Sequence, residues 1–164
     1  MATEEKPQSV DLNWDEILDE SRKDVRSGRY LLASVAAISL LAVVFAFREG
    51  VFAELPGHLP AVALGSVVTL LMLATGTWLW PAPTFRVAKW IAYALAAVSA
   101  VLAVGAVFKG LGLKAIIKAA FKFGGYVWGA SLLGEAESGA VILAAPPEAE
   151  HYFDEMVDEL TDSE

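Results

Sequence analysis

Lys114, Lys118 and Lys122 recur at every fourth position, so an α-helix would carry all three amines on one stripe. A row of cations of this kind can face the phosphates of anionic lipids. Together with nearby carboxylates, Lys114 and Lys118 could instead build a catalytic site. No other cluster of reactive side chains accompanies them. His58 and His151 are far apart in sequence, and neither has a second histidine or a cysteine at metal-site spacing, so both read as ordinary surface histidines. There is no cysteine, which excludes disulfides, thiol catalysis and thiolate metal sites. The phosphate-loop, dinucleotide-binding, zinc-protease and serine-hydrolase motifs are all missing from the sequence. No catalytic, cofactor-binding or metal site is therefore expected, and the chain reads as non-enzymatic.

The elements that carry the lysines are apolar. The 164 residues are 56% hydrophobic with a mean hydropathy of +0.52, and the excess falls in long uncharged blocks, the signature of membrane spans. Positions 30–47, 59–80 and 87–108 each read as a span. The first has 18 uncharged residues, ~27 Å of helix, bracketed by Arg29 and Arg48. It reads as a retained anchor rather than a cleaved signal, because it is long and no small-residue cleavage site follows it. Pro60 suits the first turn of the second span. The segment 81–86 reads as a short, stiff turn that makes the second and third spans an antiparallel hairpin. Trp78, Trp80, Trp90 and Tyr93 then form an aromatic girdle at one membrane face. Ala92, Ala96 and Ala100 repeat at fourfold spacing, as small residues do where helix backbones meet closely.

Residues 113–133 admit two readings. One is an amphipathic helix in the interface, its lysines on lipid phosphates. The other is a fourth span with the lysines snorkelling or facing a polar interior. Three central charges are costly in hydrocarbon, so energy alone favours the interface. An interfacial helix followed by a glycine-rich shallow re-entry is a mixed case. Gly125 and Gly129 form a small-xxx-small pair there, suited to helix packing.

Outside this membrane domain of 30–133 lie a segment of 1–29 and a tail of 134–164. Positions 11–26 form an amphipathic helix, with Trp14, Ile17, Leu18, Ser21 and Val25 on one face and Gly28 as its stop. It suits the membrane surface or simple packing on its own protein. From Gly134 onward there are ten Asp or Glu and no Lys or Arg. Within the tail, Tyr152, Phe153, Met156, Val157 and Leu160 give a narrow apolar face. The net charge of −8 leaves no nucleic-acid footprint. The fold expected is thus all-α: an integral membrane bundle of three spans, or four, flanked by amphipathic terminal helices.

Arg22, Lys23, Arg26 and Arg29 precede the first span, and Arg86 and Lys89 mark the second turn, whereas the first loop holds only Arg48. The positive-inside rule places the N-terminus inside. The lysines from Lys109 to Lys122, at the opposite end of the third span, run against the same rule.

An acidic, cysteine-free, alanine- and valine-rich chain with this layout resembles small haloarchaeal membrane proteins. In particular it is similar to the internal membrane protein of the haloarchaeal pleomorphic viruses, the pleolipoviruses. The resemblance implies a structural component of a virion membrane, on its lumenal side and without enzymatic activity. The partners expected are the bilayer, anionic lipids, and another copy or another membrane protein. The alternative is a subunit of an oligomeric transporter or channel, with Ser66, Thr69, Thr75 and Thr77 offering hydroxyls to a pore. Such hydroxyls more often bond back to their own helix.

Overall fold

The computed structural model describes residues 14–54, 56–108 and 112–145. The start of the N-terminal segment, up to residue 13, and the apolar face of the acidic tail lie outside these residues. The described residues form helices and their connections, with no strand among them. The helices are α1 (Trp14–Arg48), a short α2 (Val51–Glu54), α3 (His58–Leu79), α4 (Pro81–Phe108) and α5 (Leu113–Leu143). Three of them, α1, α3 and α4, are long and apolar enough to cross a membrane. The chain is an all-α helical bundle of integral membrane type.

Two elements differ from their sequence expectation. First, α1 does not stop at Gly28 but runs unbroken from Trp14 to Arg48, ~52 Å of helix. Gly28 serves close packing instead. A Cβ there would stand 2.5 Å from the Ala136 Cβ and 2.9 Å from the Phe85 ring. Second, the stretch expected to be a turn at 81–86 is the first part of α4, and α3 passes into it through Trp80 alone. Proline fits there because the first turn of a helix leaves its N–H groups without intrahelical partners.

The long helices run alternately up and down. Glu137, late in α5, meets Arg86 and Lys89, early in α4. Lys118 and Lys122, early in α5, share a groove with Leu95 and Leu102, further along α4. Hence α5 lies lengthwise and antiparallel against α4 rather than across the end of the bundle. It is also antiparallel to α1, since Gly139 abuts Ser21 and Ala136 abuts Gly28. α5 continues past Gly134, where the composition turns acidic, to Leu143.

The core sits at one end, here termed the Glu137 end. Val25 and Leu32 of α1, Phe85 and Ala88 of α4, and Leu133, Ala136 and Ala140 of α5 form one buried cluster. Phe85 is fully buried. Toward the opposite, Phe108 end the outer faces are apolar and open. Ile38 is 67% exposed, Val62 61% and Val101 71%. Side chains of this kind need hydrocarbon around them, as a bilayer supplies.

Candidate functional site

Glu137 is the only ionisable residue among the buried described residues. It stands on the buried stripe of α5 formed by Ala130, Leu133, Ala136 and Ala140, so helical periodicity forces its carboxylate into the contact with α4. There Arg86 donates through Nε to Oε1 at 2.5 Å, and the Lys89 ammonium donates to Oε2. The carboxylate is only 10% exposed, Lys89 is 23% exposed and Arg86 is 61% exposed. The two cations hold the Glu137 carboxyl below the usual carboxylate range. The hydrogen bond from Lys89 acts most strongly and that from Arg86 next, against the cost of desolvation. Both carboxylate oxygens are thus committed to a bridge that fixes the register of α5 on α4. Glu137 lies in a block whose composition suggested only an acidic tail. Its signal in the sequence was the three-to-four spacing of Ala130, Leu133, Ala136 and Ala140, which continues the helix past Gly134.

Arg29 forms the second polar joint. In a continuing helix the Thr77 carbonyl would accept from the amide four residues on, but that residue is Pro81, which has no N–H. Arg29 supplies the missing donors, with Nε at 3.2 Å and Nη2 at 3.1 Å from the Thr77 oxygen. Its guanidinium also lies 4.4 Å from the centroid of the Trp78 ring. The joint fastens α1 to the end of α3 at the level of the tryptophans.

Between α1, α4 and α5 at the same end lies an open groove of about 550 Å³, with Glu20, Asp24, Glu135 and Lys89 on its walls. No group of residues able to hold a metal ion is found among the described residues.

The residues singled out in the sequence are placed as follows. Ala96 is buried, and Ala92 is packed against the core cluster, while Ala100 is half-buried. A Cβ on Gly125 or on Gly129 would meet no atom within 4 Å, so neither glycine mediates a close helix contact inside the described chain. The contact is made one position later, at Ala130. Lys114, Lys118 and Lys122 are all exposed. Lys118 and Lys122, with Tyr126, line a groove of about 330 Å³ against α4, and no carboxylate lines it. The four hydroxyls considered for a pore all bond back within α3: Ser66 to Val62, Thr69 to Gly65, Thr75 to Leu71 and Thr77 to Ala74. Compared with known proteins, the chain matches no family model, no curated protein and no solved structure.

Proposed function

We propose that the protein is a non-enzymatic structural component of a membrane, crossing it as a four-helix bundle and presenting its terminal segments to partners on one side. The observation that carries this reading is the state of Glu137. Pumps, ion-coupled transporters and membrane enzymes keep ionisable groups available to ions or substrates within the membrane. Here the buried carboxylate has both oxygens engaged by Arg86 and Lys89 at one end of the bundle, where it joins helices. The hydroxyls of α3 are likewise engaged within their own helix. By the distribution of Arg and Lys, the Glu137 end with the N-terminus faces inside. The resemblance in layout to the pleolipovirus protein makes a virion envelope the first membrane to examine.

The reading is tested by the copy number of the protein relative to lipid and to other proteins in its native membrane or particle. A structural protein ranks among the most abundant. A trace amount at fixed ratio to a larger membrane protein overturns the reading and favours the transporter or channel subunit. Solute flux through reconstituted vesicles would then be the measurement to make.

A further inference from the structure

We propose that the groove between α4 and α5 near the Phe108 end is a binding site for one anionic phospholipid, its phosphate held between Lys118 and Lys122. The inference rests on the bundle lying in a bilayer and not on the structural role proposed above, so a low copy number would leave it standing.

The depth of the lysines comes first. Gly134 packs beside the Lys89 side chain, with a position for Cβ 3.5 Å from the Lys89 Cδ, and so marks the level of the aromatic girdle on α5. A hydrocarbon thickness of ~30 Å takes about 20 residues, which puts the other boundary near Lys114. Lys118 then lies ~6 Å and Lys122 ~12 Å inside that boundary. Helical side chains lean toward the N-terminus of their helix, so both amines reach back toward the Phe108 end. This is the direction in which lysine snorkels to phosphate level.

The second point is charge. Two ammonium groups four residues apart repel each other, and partial removal from water raises the cost. No described carboxylate pairs with them or lines the groove. Glu137 is 15 residues further along α5, ~22 Å away, and already engaged. The described chain also ends at Ala145, beyond Glu137 and so at the end of the bundle away from the groove. Among the described residues no carboxylate compensates the two amines, and an anion from the surrounding membrane can do so.

The third point is the wall opposite the amines. Leu95, Val98 and Leu102 of α4 line it, and Val98 is 56% and Leu102 64% exposed toward the surroundings. An apolar wall leading away from two cations matches an acyl chain attached to a phosphate, whereas a small water-soluble anion would leave it unused. Ser99 and Tyr126 line the same groove further from the Phe108 end, along the path of the acyl chains.

The experiment uses the full chain, purified in neutral detergent, exposed to equimolar phosphatidylglycerol and phosphatidylcholine, washed, and analysed for retained lipid by mass spectrometry. The expected result is about thirtyfold enrichment of phosphatidylglycerol, the order that two lysines supply. The K118Q/K122Q variant should retain both lipids equally, K118R/K122R should keep the enrichment, and K114Q should keep most of it. A photoactivatable phosphatidylglycerol should attach within 95–102 and 118–126. Equal retention by the wild type, undiminished enrichment in K118Q/K122Q, or attachment elsewhere overturns the proposal. Displacement of the lipid by millimolar glycerol phosphate overturns it too, by making the groove a site for free phosphate. Should K118Q/K122Q fail to fold, the wild-type enrichment and the attachment positions decide.

Discussion

Gly139 of α5 lies against the backbone of Ser21 in α1 so closely that a Cβ at position 139 would stand 2.8 Å from the Ser21 carbonyl oxygen. A flexible side chain can yield to such a clash, but backbone inside a helix cannot do so cheaply. Gly28, further along the same seam, would meet Ala136 and Phe85. G139A and G28A should therefore each lower stability by about 1–3 kcal/mol, the usual cost of overpacking. G125A and G129A meet open space and should leave stability unchanged or raise it slightly through helix propensity. Unfolding of the four variants in one detergent checks the contrast. Equal effects at all four positions would mean that the seam between α1 and α5 is not the tight contact described.

The same seam shows what the sequence discloses and what it hides. The apolar blocks at 30–47, 59–80 and 87–108 lie within α1, largely within α3 and within α4, because a run of 18 or more uncharged residues has few other uses. Gly28 misled because a glycine near the end of an amphipathic pattern suits a helix stop as well as a close contact, and only the neighbour across the seam separates the two. Pro81 and Pro83 misled in the same way, being equally at home in a turn and in a first helical turn. Glu137 was hidden by composition, since it belongs to an acidic stretch in which its partners, some 50 residues earlier, cannot be seen. The choice between interface and span for 113–133 turned on the same missing contact. Counting charges favoured the interface, whereas the bridge from Glu137 to Arg86 and Lys89 lays α5 along α4.

That bridge predicts an order among variants. Replacing the carboxylate in E137Q leaves Lys89, largely shielded from solvent, without its counter-ion. The loss is set at up to ~3 kcal/mol, the lower part of the range for broken buried pairs, because Lys89 retains some access to water. K89M should cost less, since Arg86 still pairs with Glu137. R86Q should cost least, because Arg86 is mostly exposed and its share is screened. The double variant K89M/E137L should lose less than the sum of its two single changes. Equal losses for R86Q and E137Q would show that burial does not set the strength of the bridge.

The bridge also sets a dependence on pH. The Glu137 carboxyl titrates below its unfolded value in the folded chain. A depressed carboxylate contributes stability that is fully present above the unfolded pKa of ~4.3 and is lost as pH falls through the lower folded value. Stability should accordingly be flat for this group above about pH 5 and decline below it. Glu20, Asp24 and Glu135 line the adjoining groove, so the comparison that isolates Glu137 is the wild type against E137Q. The difference between the two should shrink as the solution is acidified. A difference that grows in acid would reverse the sign and remove the bridge as its cause.

Arg29 is expected to be irreplaceable by lysine. R29K keeps the positive charge yet offers one compact ammonium where the Thr77 carbonyl now receives two donors and Trp78 a flat guanidinium. R29A leaves the carbonyl that Pro81 orphaned with no donor. R29A should cost about 1.5–3 kcal/mol, the range for hydrogen bonds to charged groups, and R29K an intermediate amount. P81A should soften R29A, because an alanine amide at 81 can bond the Thr77 carbonyl itself. If P81A leaves the cost of R29A unchanged, the orphaned carbonyl is not what Arg29 serves.

Whether α5 crosses the membrane can be read directly, because a chain without cysteine accepts single reporter thiols cleanly. Ser27 and Ser138 both belong to the Glu137 end of the bundle, whereas Glu49 follows α1 at the opposite end. With four crossings, S27C and S138C react with a membrane-impermeant maleimide from the same side of a sealed vesicle, and E49C reacts from the other. If 113–133 instead lay in the interface after three crossings, S138C would share its side with E49C. The positive-inside rule further expects S27C and S138C to be protected in right-side-out vesicles until the membrane is permeabilised. Protection of E49C together with S138C would break the antiparallel packing of α5 on α4, and the lipid groove at the Phe108 end with it.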